Sequence, residues 1–303
     1  MKTAIITGPT GVLGMNLLEK LLFEGIKVYA VCRPNSTVSQ SIPPHSLLTI
    51  ITCDISNIMS IKEQITEKCD VFYDFAWLGT FGDTRNDMYL QNKNIEYTLD
   101  AVRLANDLGC EVFIGAGSQA EYGRADGILR ADTPTFPENG YGMAKLCAGQ
   151  MSRILCNQLN IKHIWIRILS LYGPYDGPYT MVMSTIGKLL SGEETAFTLG
   201  EQQWDYLYGA DAANAFYLAA LHGKNNKIYV LGSGKVKPLS AYIQEIGNIV
   251  SPKTNLGIGK VPYSEKQVMY LCADISELAK DTGFSPEIDF REGIGKTLKW
   301  FKK

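Results

Sequence analysis

Tyr141 and Lys145 stand four residues apart in YGMAK, so a helix through this stretch puts a phenol and an ammonium on one face. A phenol near its reference pKa of about 10 is a poor base at neutral pH, and a cation beside it favours the phenolate. Paired in this way, the two side chains could pass a proton to or from a substrate oxygen. Upstream, an apolar run ends in Gly115-Ala116-Gly117-Ser118, which places a hydroxyl at the end of a candidate strand. Ser118 could hydrogen-bond the same reacting oxygen.

A second constellation lies at the N-terminus, where Thr3 to Thr7 leads into Gly8-Pro9-Thr10-Gly11-Val12-Leu13-Gly14 and then a leucine-rich stretch. Strand, spaced glycines and helix in this order make a dinucleotide-binding turn, whose backbone N–H groups and helix N-terminus receive a pyrophosphate. After the second strand a carboxylate would bond the adenosine ribose and select NAD, but the sequence there is Val31-Cys32-Arg33-Pro34. Arg33 could pair with a 2′-phosphate, which slightly favours NADP over NAD, or it could be a solvated surface arginine. Asp54, after the third strand, could accept from an adenine amino group or cap a helix.

These residues need elements to hold them. Thr3 to Thr7, Lys27 to Cys32, Leu48 to Cys53, Val71 to Phe75, Glu111 to Ala116 and Ile164 to Leu169 read as strands. Between them run helical patterns such as Leu13, Leu17, Leu18, Leu21 and Leu22, or Ile95, Leu99, Val102 and Leu104. The alternation predicts an α/β protein with a Rossmann-type doubly wound parallel sheet. The Gly- and Pro-rich segment LYGPYDGPYT interrupts it and opens a second region. Ile228 to Leu231 reads as one more strand before GSGK, and Leu239 to Lys303 carries helical periodicity up to a basic WFKK end.

The 303 residues, 46% hydrophobic and 20% charged, describe a soluble globular chain of one large domain or two joined ones. With 29 Lys and Arg against 31 Asp and Glu, the net charge of -2 offers no field for nucleic acid or anionic lipid. A small-molecule partner is expected, with no nucleic acid and no membrane. The short N-terminal apolar run is neither a signal peptide nor a membrane span, and a cytoplasmic location is expected. The seven cysteines are scattered, which reads as free structural thiols, and His45, His163 and His222 have no metal-ligand spacing, so no metal is expected.

Over nearly its whole length the chain resembles the extended short-chain dehydrogenase/reductase family, also called the NAD-dependent epimerase/dehydratase family. The matching pieces are GPTGVLG, Asp54, DVFYDFAW, Asn94 with Thr98, GSQAEYG, YGMAK, LYGP, WDYLYGADAANA and IYVLGSG. The resemblance implies a Rossmann domain, residues 1–173 with about 203–234, and a smaller C-terminal substrate-binding domain, about 174–202 with 235–303. NAD or NADP would lie against Gly8, Thr10, Gly11, Val12, Leu13, Gly14, Arg33, Asp54, Ile55, Phe75, Ala76, Trp77, Asn94, Tyr141 and Lys145. Ser118, Tyr141 and Lys145 would be the catalytic trio, with Lys145 holding the nicotinamide ribose and lowering the tyrosine pKa. The substrate implied is a nucleotide-diphosphate sugar, for which Gln119, Ser170, Tyr175, Trp204 and Tyr206 are candidate contacts, although aromatic clusters are more often core. A homodimer through the helices bearing Asn94 and Tyr141 is also implied.

Departures from the family pattern narrow the reaction. The sugar dehydratases carry an acid in the second or third place from Ser118, where this chain has Gln119 and Ala120, so dehydration is disfavoured. Glu121 follows, and alternation along an extended stretch would turn it to the other side. Asp74 stands where relatives usually carry His, and Ser170 where they often carry Asn. The expected activity is reduction of a 4-keto-(6-deoxy)sugar at C4 with Tyr141 as proton donor. A nucleotide-sugar 4-epimerase, like UDP-glucose 4-epimerase with tightly bound NAD, is the alternative. A non-catalytic NAD(P)-sensing Rossmann protein is a third reading, against which an intact trio argues.

Overall fold

A computed structural model of the chain describes residues 1–36, 38–265 and 267–302, so Lys303, which closes the WFKK end, lies outside the described residues. Seven strands form one parallel sheet: β1 (Thr3–Thr7), β2 (Lys27–Cys32), β3 (Leu48–Thr52), β4 (Val71–Asp74), β5 (Val112–Ser118), β6 (Lys162–Ile168) and β10 (Lys227–Leu231). Their order is β10-β6-β5-β4-β1-β2-β3, which reverses direction between β1 and β4. In an open α/β sheet the crevice at such a reversal, outside the strands' carboxyl ends, is where ligands bind. β1 is buried along its whole TAIIT run, as a central parallel strand covered on both faces must be. At the edge, β3 exposes Thr49, Ile50 and Thr52 and buries Ile51.

Helices cover both faces. On one side α1 (Val12–Phe23) buries Leu13, Leu17, Leu18 and Leu21 against α5 (Gly209–His222), whose Ala212, Ala215 and Phe216 let the two helices approach. On the other, α2 (Met88–Asp107) and α3 (Gly140–Gln158) cover Ile5, Phe72 and Phe113. The inner face of α2 is polar at its start, with Gln91, Asn94 and Thr98 buried, and apolar further on at Val102 and Leu104. The polar part lies beneath the crevice.

A smaller layer gathers β7 (Ser170–Tyr172), α4 (Met181–Ser191), β8 (Gln203–Trp204), β9 (Tyr206–Tyr208), β11 (Lys237–Pro238), α6 (Leu239–Val250) and α8 (Phe290–Phe301). Its core holds Tyr172, Val182, Ile186, Tyr242, Ile246 and Phe290. The helical expectation for Leu239 to Lys303 needs correction. Among the described residues only α6, α7 (Ser276–Thr282) and α8 are helical there, and the described residues between 251 and 275 run as irregular chain with single bridges such as Leu129 to Ala273. Pro252, Pro262 and the left-handed Gly257 and Gly259 forbid a continuous helix. No described helix is long and apolar enough to cross a membrane, and no described cluster of His, Cys, Asp and Glu could hold a metal.

Candidate active site

Two adjoining cavities of about 230 and 320 Å³ open at the carboxyl ends of β1, β4 and β5. They share Gly8, Gly11, Phe75 and Trp77, so they form one elongated cleft. Thr10, Arg33, Asp54, Ile55 and Ala76 line its first half. Val12, Leu13, Gly14, Thr80, Ser118, Tyr141, Lys145 and Asp176 line the second.

The three glycines of the first turn differ in what they allow. Gly8 is left-handed at φ +65°, and a Cβ there would sit 2.9 Å from the Ala76 nitrogen. At Gly14 a Cβ would fall 2.2 Å from the Gly8 oxygen, which presses α1 against its own turn. Gly11 is neither strained, with φ at -84°, nor crowded, since a Cβ would meet nothing within 4 Å. Neither backbone conformation nor packing within the protein requires glycine there. α1 also begins with no side-chain cap and no acid in its first turn, leaving backbone N–H groups for an anion. These features fit a dinucleotide pyrophosphate. Asp54 resolves as a cap, since it accepts from the Ser56 nitrogen at 2.9 Å and the Ser56 hydroxyl at 2.6 Å while still lining the cleft.

Local packing brings the second constellation together. Asn139 caps α3 by accepting from Gly142 N–H at 2.8 Å, and a Cβ on Gly142 would sit 2.3 Å from the Ala120 oxygen. The helix start is therefore pressed onto the turn that follows Ser118, and the Ser118 hydroxyl reaches the Tyr141 phenol. Burial pushes that phenol above its ordinary pKa, opposed by the Ser118 hydrogen bond and by Arg85, whose guanidinium lies 4.3 Å from the ring centroid. Lys145 donates to the Ala116 oxygen at 2.7 Å and rests 3.8 Å from the Trp77 ring centroid. In this geometry the Lys145 ammonium is engaged by the Ala116 oxygen and the Trp77 ring, and the cation beside the Tyr141 ring is Arg85.

Lys145 is itself perturbed, because burial pushes its pKa down to about 8 while Asp74 and Glu121 pull it back. Asp74 is buried and accepts from the Thr7 hydroxyl at 2.8 Å, and burial pushes its carboxyl up to about 6 against Thr7, Lys145 and Thr98. Glu121 does turn away from the cleft, but through a short 3-10 turn rather than by strand alternation. Its carboxylate accepts from the Ser118 nitrogen at 2.8 Å, the Trp165 indole at 3.0 Å and Arg167 at 2.7 Å. It anchors the end of β5.

Several expected contacts lie outside the cleft. Asn94 holds the loop after β4, accepting from Leu78 N–H at 2.9 Å and donating to the Leu78 oxygen at 2.8 Å. None of the five candidate substrate residues is among the side chains lining the cavity with Tyr141. Gln119 lines a separate recess with Arg85, Arg124 and Asn139. Trp204 donates to the Ser170 hydroxyl at 2.9 Å, and Tyr206 packs on Tyr172, Tyr242 and Phe290 in the aromatic core. Tyr175 turns away from the cleft, half-buried, its hydroxyl donating to Glu19 at 3.1 Å. Conversely Thr80, Arg85 and Asp176 reach the site without having been singled out. Asp176 at least lay in the Gly- and Pro-rich segment, whereas the GTFGDTRND stretch bearing Arg85 carries no motif.

A parallel sheet with this crevice, a glycine turn fitted to a pyrophosphate, and a Ser at the end of β5 beside a Tyr and a Lys of α3 define a nicotinamide-dinucleotide enzyme of the short-chain type. Residues 4–232 match the model of the NAD dependent epimerase/dehydratase family, and the chain belongs to that family. Its relatives run different reactions. The chain is 27% identical to a dTDP-4-dehydro-6-deoxyglucose reductase of Escherichia coli, over 63% of this chain and 61% of the relative. Among solved structures it is similar to the UDP-N-acetylglucosamine 4-epimerase from Methanobrevibacter ruminantium M1 in complex with UDP-N-acetylmuramic acid. That likeness has a TM-score of 0.90 at 21% identity and covers 99% of this chain and 98% of that one. The dTDP-glucose 4,6-dehydratase DesIV from Streptomyces venezuelae, with NAD and TYD bound, superposes at a TM-score of 0.86 with 18% identity, covering 99% and 97%.

Proposed function

We propose that this protein reduces the C4 carbonyl of a nucleotide-diphosphate 4-keto-(6-deoxy)sugar, with Tyr141 as the proton donor. The observation that carries the reading is geometric: the Tyr141 phenol lines one cleft with Ser118, whose hydroxyl reaches it, and with Lys145. A phenol holds its proton at neutral pH and can give it to a substrate oxygen placed within hydrogen-bond reach. Ser118 donates to the oxygen left behind on Tyr141, and the Arg85 charge stabilises it further. When bound, the reduced nicotinamide supplies the hydride. Gly8, Thr10, Gly11 and the α1 N-terminus would hold its pyrophosphate, and Arg33 the adenosine side, with NADP favoured over NAD. On this reading residues 1–173 with about 203–234 carry the dinucleotide, and the remainder, about 174–202 with 235–303, grips the sugar nucleotide.

Reduction rather than dehydration is supported by Gln119 and Ala120 in the dehydratase acid positions and by Glu121, committed to Arg167. A second reading, 4-epimerisation with retained NAD, is favoured by the likeness to the Methanobrevibacter epimerase, and the same three side chains would serve it. Steady-state assays on uridine, deoxythymidine and cytidine diphosphate 4-keto-sugars, with NADPH and NADH separately, discriminate the two. Stoichiometric NADPH oxidation is expected, falling about 10²- to 10⁴-fold in Tyr141→Phe. Interconversion of C4 epimers without net cofactor consumption, or NAD copurifying with the protein, would replace reduction by epimerisation.

A further inference from the structure

Asp176 is the one carboxylate among the described residues that line the cavity with Ser118, Tyr141 and Lys145. It arrives there by an unusual backbone turn. Tyr175 before it is in the left-handed region at φ +70°, a conformation that costs a non-glycine residue about 1 to 2 kcal/mol. That turn sends Tyr175 away from the cleft, where its hydroxyl donates to Glu19 at 3.1 Å and its ring meets Trp300 at 5.6 Å, and sends the next side chain inward. Further along, Tyr179 stacks on Phe81 at 4.6 Å, which ties the segment to the loop bearing Thr80 across the cleft.

Inside, one Asp176 oxygen accepts from Gly177 N–H at 2.8 Å and the other from the Thr180 hydroxyl at 2.8 Å. Each oxygen keeps a further lone-pair direction. The influences on its charge are burial, Thr180 and Gly177, with no cation among them, and burial lifts its pKa to about 6. At neutral pH it is therefore an ionised acceptor that no other charge satisfies. Such a group repels a diphosphate and attracts hydroxyl donors, so in this cleft it belongs to the sugar end of the substrate.

We propose that Asp176 is a specificity-determining residue whose carboxylate accepts a hydrogen bond from a ring hydroxyl of the bound sugar. The assignment rests on the nucleotide-sugar reading above. It predicts that substrates lacking that hydroxyl leave a half-buried carboxylate with an unused acceptor and are rejected. The test compares wild type, Asp176→Ala and Asp176→Asn on the best nucleotide-sugar substrate and on its monodeoxy analogues, one ring hydroxyl removed at a time. Turnover and calorimetric binding are both measured, alongside cofactor binding and thermal melting.

For one analogue, wild type should lose about 10- to 100-fold relative to the parent, the worth of a hydrogen bond to a charged group. Asp176→Ala should show the same loss on the parent and none on that analogue, with Asp176→Asn, which keeps the shape and one acceptor oxygen, intermediate in the same pattern. If either variant slows parent and every analogue alike, or none of them, the assignment is overturned while the proposed reaction stands. If wild type binds the sugar nucleotides without reducing them, the reaction fails and the binding comparison still decides Asp176. If none of the nucleotide sugars binds, both are overturned. Should Asp176→Ala melt below the assay temperature, Asp176→Asn alone carries the comparison.

Discussion

At the residue scale the charge of Lys145 sets a testable limit on activity. Its ammonium is held near pKa 8 by burial, so if the cation is the working form, kcat/KM falls as pH rises through about 8. Tyr141 cannot produce that limb, because its own pKa is raised above the ordinary phenol value. The Asp74 carboxylate attracts the ammonium and raises its pKa, so Asp74→Asn moves the fall to lower pH. Profiles of both proteins measured from pH 6 to 10 check this, and coincident limbs would assign the titration to another group. Tyr141, Lys145 and Ser118 were legible in the sequence because helix spacing and a strand end are local facts. Asp176 and Arg85 were not, because loops bring them to the cleft from Gly173–Thr180 and from the connection after β4, and no periodicity governs where such chain goes.

At the element scale the first turn separates structural glycines from the one that leaves room for a ligand. Gly14→Ala forces a Cβ to 2.2 Å from the Gly8 oxygen, so α1 must shift and the melting temperature falls. Gly11→Ala meets no protein atom within 4 Å and keeps an ordinary φ, so stability stays within about 0.5 kcal/mol of wild type. Its methyl group enters the space for the pyrophosphate, and affinity for NADPH or NADH drops. Cofactor titration and thermal melting of both variants read the two effects apart; a Gly11→Ala protein that binds cofactor as wild type does would remove that glycine from the site. The glycine spacing was readable, but which glycine serves packing and which serves a ligand was not. That division depends on Ala76 and on the turn's own backbone, positions that only the folded crevice brings near.

At the scale of the whole molecule the alternating strands and helices were readable, whereas the sheet order and the irregular course of the described residues between 251 and 275 were not. Pairings such as β10 on β6, or Leu129 with Ala273, join segments distant in the chain and leave no local periodicity to find. The same packing creates an acid sensitivity. His163 on β6 lies between the rings of Phe113 and Trp165, its Nε2 is 2.9 Å from the Ser152 hydroxyl, and its Nδ1 has no partner. A protonated ring would need an acceptor at both nitrogens, and burial together with the charge of Arg153 drops its pKa to about 3. In the unfolded chain it titrates near 6.5, so between about pH 6.5 and 3 the unfolded state binds the extra proton. The stability this neutral histidine permits is complete above pH 6.5 and is lost on acidification, by up to about 1.4 kcal/mol per pH unit. His163→Phe keeps the stacking and has nothing to protonate. Its loss of the Ser152 hydrogen bond lowers stability by the same amount at every pH, and the carboxylates common to both proteins cancel in the comparison. Urea unfolding at pH 7 and pH 4 should therefore show the variant gaining about 3 kcal/mol on wild type across that interval, and a difference that does not change with pH would mean that His163 takes up its proton in the folded protein.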